Sequence, residues 1–328
     1  MPEQQSQLSP GVPLAVGCDA GGSSCKLGLV DPAGQVVGRI GFACAALARA
    51  DEFLLPLYDA IDGLAGGRAI CGIGVLLPGY LDERRSVPRL LINLRALEGV
   101  PVRGLLEERY RTRVELDIDR NGHALAEYWH GDPRKAQRLL HVAIGTGVGV
   151  GLVVDGEICR LTNDSVGELG HICLDPSGER CACGGSGCVE TLVSRDGIGR
   201  IAKKLGLCED LLAEHGPVEF PRELYLAARS GDSRAVAVFA EFGRLLGIAL
   251  VSYANVFSPD RIVIGGGLSG AAEFFLPAAG RWLNAHWFDH SDKQIVLRKT
   301  AVGADAGVIG AATLVLRRFD RGGSNDRR

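Results

Sequence analysis

Three cysteines and a histidine stand at metal-ligand spacing. Cys181, Cys183 and Cys188 fall within CACGGSGCVE, and His171 closes GELGH ten residues before Cys181. Three thiolates and one imidazole complete a closed tetrahedral Zn²⁺ shell, the donor set of a structural rather than a catalytic zinc. Gly184, Gly185 and Gly187 would let the backbone wrap the ion. Glu168 and Glu190 flank these ligands. With the loop fixed, their carboxylates could accept hydrogen bonds from vicinal hydroxyls, or simply be solvated. The other cysteines (Cys18, Cys25, Cys44, Cys71, Cys159, Cys173 and Cys208) are scattered in apolar context and read as core thiols.

Two glycine turns carry hydroxyl residues suited to phosphate. In GCDAGGSSCKLGL an acidic residue precedes Gly21, Gly22 and Ser23, so bare N–H groups and hydroxyls can face an anion while Asp19 holds Mg²⁺. The alternative is a hairpin turn capped by Asp19. In AIGTGVGVGL a strand enters Gly145, Thr146 and Gly147 and another leaves. No Gly-Lys-Ser/Thr follows, so this is not a Walker A loop, and no helix follows as a dinucleotide fingerprint requires. A second phosphate-facing hairpin is the better reading. In DIDRNGHALAE, Asp119 sits at a strand end before a helix, placed either as a general base or as an N-cap.

Strands and helices must hold these groups. Strand-like runs begin at Leu14, with a turn over Asp31–Gly34, and Glu52–Leu64 has helical spacing. Ala69–Gly79 reads as a buried strand with a Pro-Gly stop, and Arg103–Tyr110 as an amphipathic helix. Val114–Asp119 is another strand, with a helix after it. Beyond Ala136 a strand, a glycine turn and a strand recur, which implies a duplicated α/β unit with a cleft between the halves. Residues Arg195–Ala254 read as helical, Arg261–Gly267 as a buried strand closed by Gly265, Gly266 and Gly267, and GVIGAATLVL as an apolar helix on a sheet. The leader Met1–Pro13 and the polar stretch Arg317–Arg328 cannot bury enough apolar surface to fold alone.

Composition narrows the classes. The 328 residues allow two domains, and a formal net charge of −3 offers no basic surface for nucleic acid. Glycine, at 46 residues, is about twice its usual ~7% share, as expected where backbone repeatedly approaches a ligand. No apolar run reaches the roughly 18 residues of a membrane span, and no signal peptide is visible. A cytoplasmic protein is expected.

Together these segments resemble the ROK family of sugar kinases and related repressors. DAGGSSCK resembles its D-x-G-G-T-K motif with Ser23 for Thr; GTGVGVGLVVDG, GELGH followed by CACGGSGCVE, IVIGGGLS and VGADAGVIGAA match further family segments, and Asp119, Asn121 and LAE match its N-D-x-N-x-x-x-L-A-E helix. The resemblance covers Leu14 to about Leu316. It implies the two-domain actin-like ATPase (ribonuclease H-like) α/β fold, with residues 14–119 and about 312–320 forming a small domain. Residues 120–311 would form a large domain with the zinc loop, between a flexible leader at 1–13 and a flexible tail at 321–328. It implies Asp119 as the base that deprotonates the acceptor hydroxyl, usually the 6-hydroxyl of a hexose. Gly79, Asn93, Glu168, His171 and Glu190 would contact the sugar. ATP would lie on Asp19, Gly21, Gly22, Ser23, Lys26, Gly145, Thr146, Gly147, Gly265, Gly266 and Gly267, with Mg²⁺ on Asp19 and structural Zn²⁺ on His171, Cys181, Cys183 and Cys188. A homo-dimer or homo-tetramer is implied as well.

Two departures bear on the acceptor. Family kinases carry Asn before the catalytic Asp, where it binds ring hydroxyls, and here that position is Ile118; a second polar position falls on Ile92. An unpaired buried hydroxyl costs roughly 1–3 kcal/mol, so the expected acceptor is an amino sugar, another modified sugar or a cyclitol rather than glucose. An ordinary glucokinase and a non-catalytic sugar-sensing regulator are the alternatives. Only 16 residues precede Gly17, too few for a helix-turn-helix domain, so DNA binding is not expected.

Overall fold

The computed structural model describes residues 11–91, 93–161, 166–288 and 294–322, and side chains as far as Arg318. Ile92, most of the leader and residues 323–328 of the tail lie outside the described residues. In chain order the strands are β1 (Ala15–Ala20), β2 (Ser24–Val30), β3 (Val36–Ala43), β4 (Gly72–Leu77), β5 (Tyr80–Leu81), β6 (Pro88–Leu90), β7 (Val114–Ile118), β8 (Arg138–Ile144), β9 (Val148–Val154), β10 (Glu157–Ile158), β11 (Arg261–Gly265) and β12 (Val296–Lys299). The helices are α1 (Asp51–Ala65), α2 (Val102–Tyr110), α3 (Asp119–Ala126), α4 (Val189–Leu192), α5 (Arg195–Leu205), α6 (Glu209–Arg229), α7 (Ser233–Phe257), α8 (Ala272–His286) and α9 (Ala306–Gly322).

The chain forms two units, one of Met1–Lys135, Gly156–Asp164 and Ala301–Arg328, the other of Ala136–Asp155 and Ser165–Thr300. Unit 1 is built on the sheet β3-β2-β1-β4-β7, in which β1 pairs antiparallel with β2 and parallel with β4, and β4 pairs parallel with β7. Unit 2 repeats that plan. Its β8 pairs antiparallel with β9 and parallel with β11, which pairs parallel with β12. The matching order and directions are the duplication that the two similar strand openings imply. The expected large domain began at residue 120, but residues 120–135 and 301–311 belong to unit 1.

Helix α9 explains that shift. It lies on β1 and β4 at positions where no side chain fits: a methyl group at Gly17 would overlap the carbonyl oxygen of Val308, and one at Gly74 that of Ala311. Gly310 meets the Gly122 backbone of α3 in the same way. Glycine at all three positions lets a helix approach a strand or another helix backbone to backbone. The helix also runs through Gly322, so Arg317 belongs to it rather than to a tail. The Arg317 guanidinium is buried and donates to Glu157 at 2.8 Å and to the carbonyl of Gly156 at 3.0 Å.

In unit 2, α7 is a 25-residue helix long and apolar enough by composition to cross a membrane. Half of its apolar window is buried inside the protein. It packs on α8 through Gly243 and Gly247, where added methyl groups would strike Phe275 and Trp282. The apolar stripe is thereby used as core.

Candidate active site

In unit 1 the strand ends and the first turn of α3 gather the acidic groups. β7 alternates, so Val114, Leu116 and Ile118 enter the apolar core while Asp117 projects from the other face. Asp117 is fixed there. Its carboxylate accepts from the Ile118 N–H (2.9 Å) and the Asn121 side chain (2.8 Å), and pairs with Arg160. This arrangement sets the turn from which Asp119 opens α3. Asp119 is the first helical residue rather than the N-cap, and its Oδ1 accepts from the Arg120 N–H at 2.7 Å.

One helical turn on, His123 shares the Asp119 face and its Nε2 stands 4.0 Å from the Asp19 carboxylate. Burial raises the Asp119 carboxyl above the ordinary carboxylate range; the charges of His123 and Arg120 pull it down without cancelling that effect. Burial would lower the His123 imidazole, but Asp19, with Asp119 and Glu127, outweighs it and the net shift is upward. Asp19 is also cradled by α9, since a methyl group on Gly307 would overlap its carboxylate. Lys26 lies directly across the ladder from Asp19. The turn between them is closed by the Gly21 N–H donating to Ser24 O at 3.0 Å, and a methyl group on Gly22 would meet the Asn93 amide. Gly79 takes φ +125° against the Leu90 carbonyl, and next to it the Tyr80 ring lies 5.7 Å from the Arg120 guanidinium. Asp19, Gly22, Asn93 and Asp119 thus fall in one unit.

Ile118 is the exception. It is fully buried in the unit 1 core, on the opposite strand face from Asp117, and presents nothing to a substrate. The expectation that it lines the acceptor site is corrected by strand alternation, and Ile118 no longer speaks against glucose. Ile92, the second position invoked against glucose, lies outside the described residues.

In unit 2 the ligand atoms of His171, Cys181, Cys183 and Cys188 all lie within 4.8 Å of one another. Cys181 Sγ is 3.5 Å from His171 Nδ1, and Cys183 Sγ is 3.7 Å from Cys188 Sγ. Zinc–ligand bonds of about 2.3 Å to sulfur and 2.0–2.1 Å to nitrogen give tetrahedral edges of about 3.6–3.8 Å, so the four residues fit the ion. The loop around them depends on glycine: Gly184 and Gly187 have φ of +95° and +61°, and a side chain on Gly187 would overlap the Asp175 carbonyl. Buried Tyr253 on α7 donates to the Leu169 carbonyl at 2.9 Å and holds the turn that presents His171. Glu168, just before that turn, is exposed.

The hairpin Gly145–Thr146–Gly147 joins β8 to β9, with Thr146 exposed at its tip. Glu190 on α4 accepts from the Val148 N–H at 2.9 Å, and a methyl group on Gly147 would overlap that carboxylate. From α5 the Arg195 N–H donates to the Gly145 carbonyl at 2.8 Å. The segment following the cysteine loop therefore grips the hairpin at both ends. Behind the hairpin lies a cavity of about 530 Å³, with Gly145, Thr146 and Gly267 on one side and Val218, Pro221 and Tyr225 of α6 on another. Gly267 lines it, whereas Gly265 and Gly266 are glycines because they press on His141 and Ile144 of β8.

Sequence reading missed the α6 wall and His123. For His123 the signal was present, four residues after Asp119 on a helix; the α6 wall carries no local motif.

Comparison with known proteins places these features. The ROK family model matches residues 15–318. A glucokinase from Halalkalibacterium halodurans is 32% identical over 92% of this chain and 94% of its own. The solved ROK hexokinase from Thermus thermophilus is 31% identical with a TM-score of 0.76, covering 94% of this chain and 100% of that one. A ROK family glucokinase from Streptomyces griseus, solved with glucose and AMPPNP, is 27% identical with a TM-score of 0.74, covering 93% and 99%.

Proposed function

The chain belongs to the ROK family and has its actin-like ATPase fold, and from that premise we propose that it is an ATP-dependent kinase transferring the γ-phosphoryl group to a hexose hydroxyl, with Asp119 as the base. The observation that carries the reading is Asp119 itself, a carboxyl raised by burial at the head of α3, one turn from His123 and in the same unit as Asp19. A base for an alcohol needs such a raised proton affinity.

In this mechanism Asp119 accepts the proton of the acceptor hydroxyl, whose oxygen attacks the γ-phosphorus as ADP departs. Phosphoryl transfer relies on positioning and charge stabilisation more than on covalent chemistry. The cavity of unit 2 receives the nucleotide, with its phosphates towards Thr146 and the hairpin N–H groups. Asp19 would hold Mg²⁺, which supplies charge neutralisation on the phosphates. His171, Cys181, Cys183 and Cys188 would hold a structural zinc through His171 Nδ1, leaving Nε2 of that ring for the sugar. Glu168 is the second sugar contact we propose. One oxygen of Glu190 already serves Val148, so its part is to brace the hairpin, with its other oxygen left for the substrate.

With Ile118 in the core, an amino-sugar, modified-sugar or cyclitol preference rests on Ile92 alone. Glucose and other plain hexoses are therefore the first acceptors to test. A coupled ADP-release assay over hexoses, amino sugars and cyclitols tests the proposal; turnover of at least one hexose by the native protein and none by Asp119→Ala is expected. ATP-dependent turnover that survives in Asp119→Ala would remove the base, and no turnover of any acceptor would remove the kinase.

A further inference from the structure

We propose that Arg195 is a donor-phosphate ligand, holding the polyphosphate chain of the nucleotide against the Gly145–Gly147 hairpin. The proposal rests on the kinase reading above and adds a cation which that reading does not contain.

The cavity behind the hairpin has a polar end and an apolar end. Val218, Pro221 and Tyr225 form the apolar wall that suits a nucleobase and ribose, while Gly145 and Thr146 present backbone and one hydroxyl. Among the described residues no carboxylate lines the cavity, and Arg195 and Arg222 are its charged side chains. They differ in what they can do. Arg222 lies on α6 with the apolar wall, its side chain 71% exposed and paired with Glu223 at 3.1 Å. Arg195 belongs to the hairpin end. Its side chain is 31% exposed, and only its Nε has a carboxylate partner, Asp196 at 3.3 Å.

That leaves Nη1 and Nη2 of Arg195 without a partner among the described residues. A guanidinium with two terminal donors in a fixed plane is the side chain best matched to two oxygens of a phosphate chain. Its backbone is already anchored beside the hairpin, where the Arg195 N–H binds the Gly145 carbonyl and buried Ser194 caps α5 by accepting from the Gly197 N–H at 3.1 Å. The hairpin N–H groups and this guanidinium therefore sit on one rigid join. A nucleotide carrying three or four negative charges would otherwise meet only neutral groups at that end of the cavity.

The test measures ATP, ADP and adenosine binding by calorimetry on the full chain, for the native protein, Arg195→Ala and Arg195→Lys, together with KM for ATP. In Arg195→Ala, ATP and ADP are expected to bind about ten-fold or more weakly, as loss of a charge-assisted hydrogen bond implies. Adenosine should bind unchanged, KM for ATP should rise in step, and Arg195→Lys should recover part of the loss. Native affinity for ATP and ADP in Arg195→Ala overturns the proposal. So does an equal loss for all three ligands, which would mean that the hairpin had merely collapsed. A native protein that binds none of the three overturns the kinase reading itself, and this assignment with it.

Discussion

A carboxylate proposed to take a proton from an alcohol, as half-buried Asp119 is, is shaped by two opposing demands. Burial raises the affinity of Asp119 for that proton, while the neighbouring positive charge of His123 keeps the ionised form within reach. The base is competent only when ionised, so activity is lost as pH falls through its folded pKa. Because that pKa is raised, the acid limb of kcat/KM should lie above the roughly pH 4 of an ordinary carboxylate. His123→Gln should move the limb further up, since the charge pulling Asp119 down is gone. A pH–rate profile with its acid limb at or below about pH 4 would contradict the assignment. The same shift has a consequence for stability. A carboxyl with a raised folded pKa binds its proton better folded than unfolded, so its contribution to stability falls as pH rises through that pKa. Asp119→Asn should therefore lose about 10²–10⁴-fold in kcat yet melt no lower than the native protein at pH 7. A calorimetric melt beside the kinetic assay separates the two effects.

At the scale of elements, the cysteine loop and the Gly145–Gly147 hairpin are joined by the segment that follows Cys188. α4 and α5 follow directly on Cys188, and through Glu190 and Arg195 they hold Val148 and Gly145. Cys183→Ser should abolish stoichiometric zinc in elemental analysis and also weaken ADP binding, although Cys183 is remote in sequence from the hairpin. Glu190→Ala should cost about 1–3 kcal/mol in a urea titration, because the Val148 N–H loses its acceptor. Much of this arrangement was legible. The spacing that brings His171, Cys181, Cys183 and Cys188 together is a local pattern, and a glycine turn between two apolar runs announces its own hairpin. What was not legible depends on packing between distant segments. Tyr225 lines the cavity from the part of α6 that follows a kink at Gly216, where φ is +70° ahead of Pro217. Ile118 was misplaced for a different reason. The alternation of Val114, Leu116 and Ile118 points it into the core, whereas the motif alone places it beside the acceptor.

At the scale of the whole molecule, glycines decide what belongs with what. Gly17 and Gly74 admit α9 to β1 and β4, and Gly310 admits α3 to α9 across almost two hundred residues. No periodicity in the sequence records such a contact, so the duplicated sheets are legible there and the place of α3 and α9 in unit 1 is not. Gly74→Ala would push a methyl group into the Ala311 backbone, and overpacking of this kind costs about 1–3 kcal/mol. It should lower the melting temperature while leaving zinc content unchanged, as checked by calorimetry and elemental analysis on the same preparation.

The place of α9 in the chain also sets an order of events during synthesis. Unit 1 draws its core from three separate stretches, the last of them beginning at Ala301, whereas unit 2 is complete by Thr300. On the ribosome, where domains form in the order their residues emerge, unit 2 can fold while β1 and β4 still wait with their glycine face open to water. That sheet face stays uncovered until α9 has been made.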